Sequence, residues 1–82
     1  MIKHQGVLGS SNVYSFGYDP RNRILEVRFH DGQLYQYFDV DENIFREMQS
    51  APSTGRFIGT VLRGKFPYRR VREIAEVQKN EQ

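Results

Sequence analysis

The stretch Asp31-Gly32-Gln33-Leu34-Tyr35-Gln36-Tyr37-Phe38-Asp39-Val40 (DGQLYQYFDV) decides how this chain folds. Asp-Gly is a favoured hairpin turn, and Tyr35 and Tyr37, two residues apart in an extended strand, project from one face. Their rings either pack beneath the protein's own helices or wait for something that stacks on aromatic surfaces. Register separates the two cases. A two-residue turn at Asp31-Gly32 sets Leu25, Val27 and Phe29 against Phe38, Gln36 and Leu34, and puts both tyrosines on the opposite face. A three-residue loop, His30-Asp31-Gly32 with Gly32 left-handed, moves the pairing by one, so that Val27 opposes Tyr35 and Leu25 opposes Tyr37. A one-residue slip exchanges the two faces of a strand. The three-residue loop is favoured here. It gathers Leu25, Val27, Phe29, Tyr35 and Tyr37 on one face and avoids burying Gln36, at the expense of leaving Leu34 and Phe38 on the other. The tyrosines then bury their rings and keep their hydroxyls near an edge, structural first.

Upstream, Asn12–Tyr18 alternates aromatic with small residues as a strand does, and Ile24–Phe29 alternates again with Leu25, Val27 and Phe29 on one side. Glu26 falls on the outward side, where its truncation is expected to be nearly silent. Asp19-Pro20-Arg21-Asn22 between them is a turn, since Pro presets φ and Asp and Asn bond their own backbone. Downstream, Asp41 is an N-cap candidate for a helix with Ile44, Phe45 and Met48 on its apolar face and Pro52 beyond its end. Ser53 caps a second helix carrying Phe57, Ile58, Val61 and Leu62; Gly64 stops it and Pro67 follows. Val71, Ile74 and Ala75 suit a further helical turn. The expected fold is α+β: a three-stranded antiparallel meander followed by two short helices packed on one face. Residues 1–9 are expected to be a flexible arm, 10–72 a single domain, and 73–82 a polar tail that is helical at its start.

Eighty-two residues bury only ~60% of the surface their unfolded chain exposes, so the core is thin and a homo-oligomer is an expectation. No apolar run approaches the ~18 residues of a membrane span, and no leader pattern opens the chain, so a cytoplasmic protein without a membrane role is expected. Without cysteine, disulfides, thiolate zinc sites and thiol catalysis are excluded. Charge is uneven. Residues 51–72 hold six cations (Arg56, Arg63, Lys65, Arg69, Arg70, Arg72) and no acid, whereas residues 1–50 hold five against seven. An anionic partner would meet the middle block, unless it is simply a solvated basic face.

Within that block, Ser53-Thr54-Gly55-Arg56 combines a helix start, a glycine that lets a ligand approach, and a guanidinium fork, as a phosphate site would. The plainer alternative is a capped helix with Arg56 in solvent. Arg56 and Arg63, seven residues apart, would share one helix face. Lys65, Arg69 and Arg70 lie just beyond, interleaved with Phe66 and Tyr68 in the basic-aromatic mix that single strands favour. Enzyme readings are poor: His4 and His30 are the only histidines, no Ser-His-Asp arrangement is legible, and no phosphate-binding glycine pattern occurs. Asp39 and Asp41 are better explained as a strand exit and a cap than as a cation site. No cofactor is expected. Three partner classes follow: RNA or single-stranded nucleic acid, a small signalling nucleotide, or a protein meeting an exposed sheet face of Val13, Ile24 and Phe38.

The chain also resembles the KTSC domain, a small family named for an extension at the C-terminus of some lysyl-tRNA synthetases and also found free-standing. The resemblance lies in Gly17-Tyr18-Asp19, Leu25-x-Val27-x-Phe29, Tyr35-x-Tyr37 with Val40, Ala51-x-Ser53-x-Gly55-Arg56-Phe57 and Leu62-Arg63-Gly64-Lys65-Phe66-Pro67. Gly59 stands where the family often has asparagine, which weakens any role for an amide there. The resemblance implies a non-catalytic module of unsettled function, with RNA binding suggested. Independently of it, the aromatic spacing and the basic-aromatic mix make Tyr35, Tyr37 and Tyr68 candidate stacking residues.

Overall fold

The computed structural model describes residues 2–10 and 12–71. The expected hairpin forms in the three-residue register. Phe29 N–H donates to the Gln33 carbonyl at 2.9 Å, Gly32 N–H donates back to Phe29 at 2.9 Å, and Gly32 adopts φ 92°, a conformation cheap only for glycine. Strand β3 (Ile24–Phe29) therefore pairs with β4 (Leu34–Tyr37) as Leu25 with Tyr37 and Val27 with Tyr35. Strand β2 (Val13–Asp19) pairs antiparallel on the other side of β3, setting Phe16 opposite Val27 and Tyr18 opposite Leu25. The β2–β3 turn is held by the Asp19 carboxylate, which accepts from the backbone of Arg21 and Asn22 and from the Asn22 amide. These bonds favour the ionised form, and the Asn22 side chain contributes most to holding the Asp19 carboxyl below the usual aspartate value.

The sheet has five strands rather than three. Residues 1–9 were expected to be an arm, but β1 (Gln5–Gly6) pairs with Phe16 and Ser15 of β2. At the opposite edge β5 (Tyr68–Val71) pairs with β4, Tyr37 opposite Tyr68 and Tyr35 opposite Arg70. The strand order follows the chain, β1-β2-β3-β4-β5, with every neighbouring pair antiparallel. Both added strands were missed because they are short and lack alternation: β1 is two residues, and YRRV reads as a charged tail. Val71 is thus a strand residue, not a helical one; Ile74 and Ala75 lie outside the described residues.

Two helices cross from β4 back to β5 over one sheet face. Helix α1 (Glu42–Ser50) begins where the Asp41 side chain accepts from Ile44 N–H at 3.1 Å, and buries Met48. Phe45 stacks on Tyr18 at 4.7 Å and meets Phe16 edge-on at 5.9 Å. Helix α2 (Thr54–Phe57), capped by Ser53, continues as a π-helical turn, Ile58–Leu62, that buries Ile58 and Leu62. The core between helices and sheet comprises Val13, Phe16, Leu25, Val27, Tyr37, Val40, Met48, Ile58 and Leu62. Each such side chain contributes roughly 1.5–3 kcal/mol by leaving water. Val13 is fully buried and Ile24 and Phe38 are each partly covered, so the exposed apolar sheet face expected of these three is not present. No helix among the described residues is long and apolar enough to cross a membrane.

Candidate ligand cleft

The register that buries Tyr37 also aligns one row of aromatic residues toward the hairpin tip. Tyr37 is 3% exposed. Tyr35, half-buried, meets Phe29 edge-on at 5.5 Å. Tyr68 of the edge strand packs at 5.7 Å from both Tyr35 and Tyr37, yet stays 55% exposed, with ring surface open to solvent. The three candidate stacking residues are therefore brought together. They line an open cleft of about 570 Å³ with Phe29, Arg63 and the tip residues Asn12, His30, Asp31 and Gln33.

Arg63 reaches the cleft because the helix changes its pitch. The π turn closes with Arg63 N–H donating to the Ile58 carbonyl at 2.9 Å, after which Arg63 leaves the helical path at φ −65°, ψ 128°. Gly64 at φ 83° completes the stop expected of it. Such wide turns recur at functional sites. Burial raises the Tyr37 hydroxyl above the usual tyrosine value, and the Arg63 charge beside it works in the opposite sense.

The other basic candidates are dispersed. Arg70, opposite Tyr35, donates to Gln33 Oε1 at 3.2 Å and so reaches the cleft rim. Arg69 opposes Gln36 and by alternation faces the other side of the sheet. Lys65 is exposed in the turn after the π segment. Arg56 does not share the cleft with Arg63, because the π turn breaks the 3.6-residue period on which a common face depends. At the start of α2 the Ser53 hydroxyl accepts from Arg56 N–H at 3.2 Å, which is the capping alternative. Ser53, Thr54, Gly55 and Arg56 do not line the cleft; Gly55 abuts the side chains of Ser10 and Asn12, and Asn12 in turn does line it. Among the described residues no cluster of acids and histidines suits a metal ion.

A second polar arrangement lies on the sheet's other face. His4 Nε2 is 2.8 Å from Glu26 Oε1, and a carboxylate only accepts, so this nitrogen carries the proton. In the neutral ring His4 Nδ1 then accepts from the Ser15 hydroxyl at 2.7 Å. Gln36 donates to the second Glu26 oxygen at 2.8 Å. A hydroxyl–imidazole–carboxylate chain is thus formed from residues far apart in sequence, which no spacing announces. Ser15 is 7% exposed, and the adjoining Ile2 and Lys3 press against Gly17. The network ties the N-terminal segment to β2 and β3, and Glu26 is its anchor rather than a dispensable surface residue.

The sequence profile of the KTSC domain matches residues 9–66. A crystal structure of a KTSC domain protein from Yersinia pestis superposes with a TM-score of 0.80 at 42% identity, covering 88% of this chain and all of that one. A protein of Tsukamurella paurometabola is 39% identical over 57 residues, 70% of this chain and 85% of the relative. A lysine–tRNA ligase of Nostoc sp. is 30% identical over 68 residues, which span 83% of this chain but only 11% of the ligase. With the profile matched over most of its length and the fold shared with a KTSC domain protein at 42% identity, this chain belongs to the KTSC domain family.

Proposed function

We propose that this domain is a non-catalytic binding module for a phosphate-bearing partner, single-stranded nucleic acid and RNA above all, whose bases stack in the tyrosine cleft. The observation that carries the reading is the open ring of Tyr68 beside Tyr35, with Arg63 and Arg70 at the margins. Base–aromatic stacking contributes ~1–3 kcal/mol per base and tolerates any sequence, while the arginines follow the backbone. The ligases that carry a matching segment are, by their name, proteins that handle tRNA. That is consistent with an RNA partner.

The test is a titration of short single-stranded RNA at several salt concentrations, read by quenching of tyrosine fluorescence. Two cations at the cleft give a slope of log affinity on log salt of about −1.4, at ~0.7 per phosphate. Absence of binding at low salt would overturn the proposal. A free nucleotide is the second reading, favoured by the cleft volume, which falls within the ~300–1,000 Å³ of small-ligand sites. In that case a mononucleotide binds as tightly as an oligomer.

A further inference from the structure

We infer that the hairpin-tip end of the cleft selects guanine, through the Asp31 carboxylate; the inference rests on the stacking role proposed above. The polar groups lining the cleft are not evenly mixed. Arg63 supplies donors near Tyr37, at the end of β4 away from the tip, and Asp31 is the one acid in the lining among the described residues. The Asp31 oxygens accept from Gln33 N–H at 3.0 Å and from Gln33 Nε2 at 3.3 Å, one bond each. A carboxylate oxygen has two lone pairs, so each retains one for a ligand.

The neighbours hold this arrangement. Gln33 Oε1 accepts from Arg70 Nη1 at 3.2 Å and from the Tyr35 hydroxyl at 3.4 Å, which orients its amide with the nitrogen toward Asp31. His30 Nε2 lies 3.1 Å from the Ser10 carbonyl and must donate to it, leaving Nδ1 of the neutral ring as a further acceptor. The tip thus offers several acceptors, with the guanidiniums of Arg28 and Arg70 bonded beside them to the Gly32 carbonyl and to Gln33 Oε1. A flat ligand stacked on Tyr68 fits best if it turns hydrogen-bond donors to the tip and its anionic group to Arg63.

Among the RNA bases only guanine presents two adjacent donors, N1–H and the 2-amino group, matching the two oxygens of a carboxylate. Adenine and cytosine place an acceptor beside their amino group. Uracil flanks its single N–H with two carbonyl oxygens, which the carboxylate repels. Charge-assisted bonds of this kind are stronger than neutral ones.

The experiment compares labelled oligouridylates, unmodified or carrying a single guanine, adenine or cytosine, by fluorescence anisotropy. Free guanosine and uridine monophosphates are competitors. The expected result is about tenfold tighter binding of the guanine oligomer than of oligouridylate, at the low end for a two-bond side-chain pairing to a base. Asp31→Asn retains the turn, because asparagine makes the same backbone bonds. It should melt like the wild type and bring the guanine oligomer and oligouridylate to equal affinity. If all oligomers bind equally, or if the preference survives Asp31→Asn, the guanine assignment is wrong and stacking stands. If no oligomer or nucleotide binds at low salt, both fall. Guanosine monophosphate matching the guanine oligomer would support the assignment and overturn the strand as partner.

Discussion

Replacing Gly17 with alanine should destabilise the domain, although the same change at an open strand position would stabilise it by about 0.5–1 kcal/mol. A methyl group at Gly17 would be driven into the Lys3 carbonyl oxygen, 2.9 Å from the Lys3 carbonyl carbon and 2.7 Å from Ile2 Cγ2. Backbone cannot rotate aside as a long side chain can, so the N-terminal segment must lift from the sheet. Lifting it breaks the His4 bonds to Ser15 and Glu26 and strains the pairing of β1. A neutral bond contributes about 1 kcal/mol and one to a carboxylate about 1.5–3, so the loss is about 3 kcal/mol. Against a total of order 5–10 kcal/mol that is a large fraction. Urea unfolding should show a lower midpoint for Gly17→Ala. His4→Ala should likewise cost about 3 kcal/mol in the wild type, by the same two bonds, and almost nothing in the Gly17→Ala background, since the bonds are already gone. Additive costs, or a Gly17→Ala variant as stable as the wild type, would refute the seating of residues 2–4 on the sheet.

The remaining expectations concern the core, the cleft and one turn. Val27→Asp places an unpaired carboxylate where no solvent reaches and should abolish cooperative melting; a normal melt would refute the core assignment. Glu26→Ala should cost roughly 1–3 kcal/mol by leaving His4 and Gln36 without their acceptor, and a silent variant in thermal unfolding would show the network to be inert. Tyr37→Ala should lose about 3 kcal/mol in a denaturant melt, whereas Tyr68→Ala should melt normally and lose RNA binding; the opposite pattern would invert their assigned roles. Arg63→Ala should reduce the salt slope of RNA binding by ~0.7 and Arg69→Ala should leave it nearly unchanged, so equal effects would argue against the cleft as the site. Asp19 titrates below the ordinary 3.8 because the Asn22 side chain, foremost, bonds its ionised form. With the folded value beneath the unfolded one, its stabilising effect is complete above about pH 4 and is lost as pH falls through the folded value. Asn22→Ala should return the carboxyl titration toward 3.8 by NMR, and no change would count against the turn.

The sequence by itself determined the central hairpin and the helices. Strict alternation in Ile24–Phe29, with Gly32 free to turn left-handed, leaves one register that keeps Gln36 out of the core, and the paired strands adopt it. Asp41 and Ser53 sit ahead of apolar periodicity and cap their helices as side chains of that kind do. These are local signals, carried by residues a few positions apart. The edge strands and the sites they build were not local. Gln5-Gly6 and Tyr68–Val71 are strands because a neighbour offers them unpaired backbone, not because their own residues alternate. Tyr68 becomes part of a cleft only when β5 lies beside β4, and Arg63 enters it only because a π turn, which no 3.6-residue pattern announces, ends the second helix. The Ser15–His4–Glu26–Gln36 chain joins residues up to thirty-two positions apart in sequence (4 to 36). Their meeting depends on how the N-terminal segment crosses Gly17, a matter of close packing that composition and spacing do not encode.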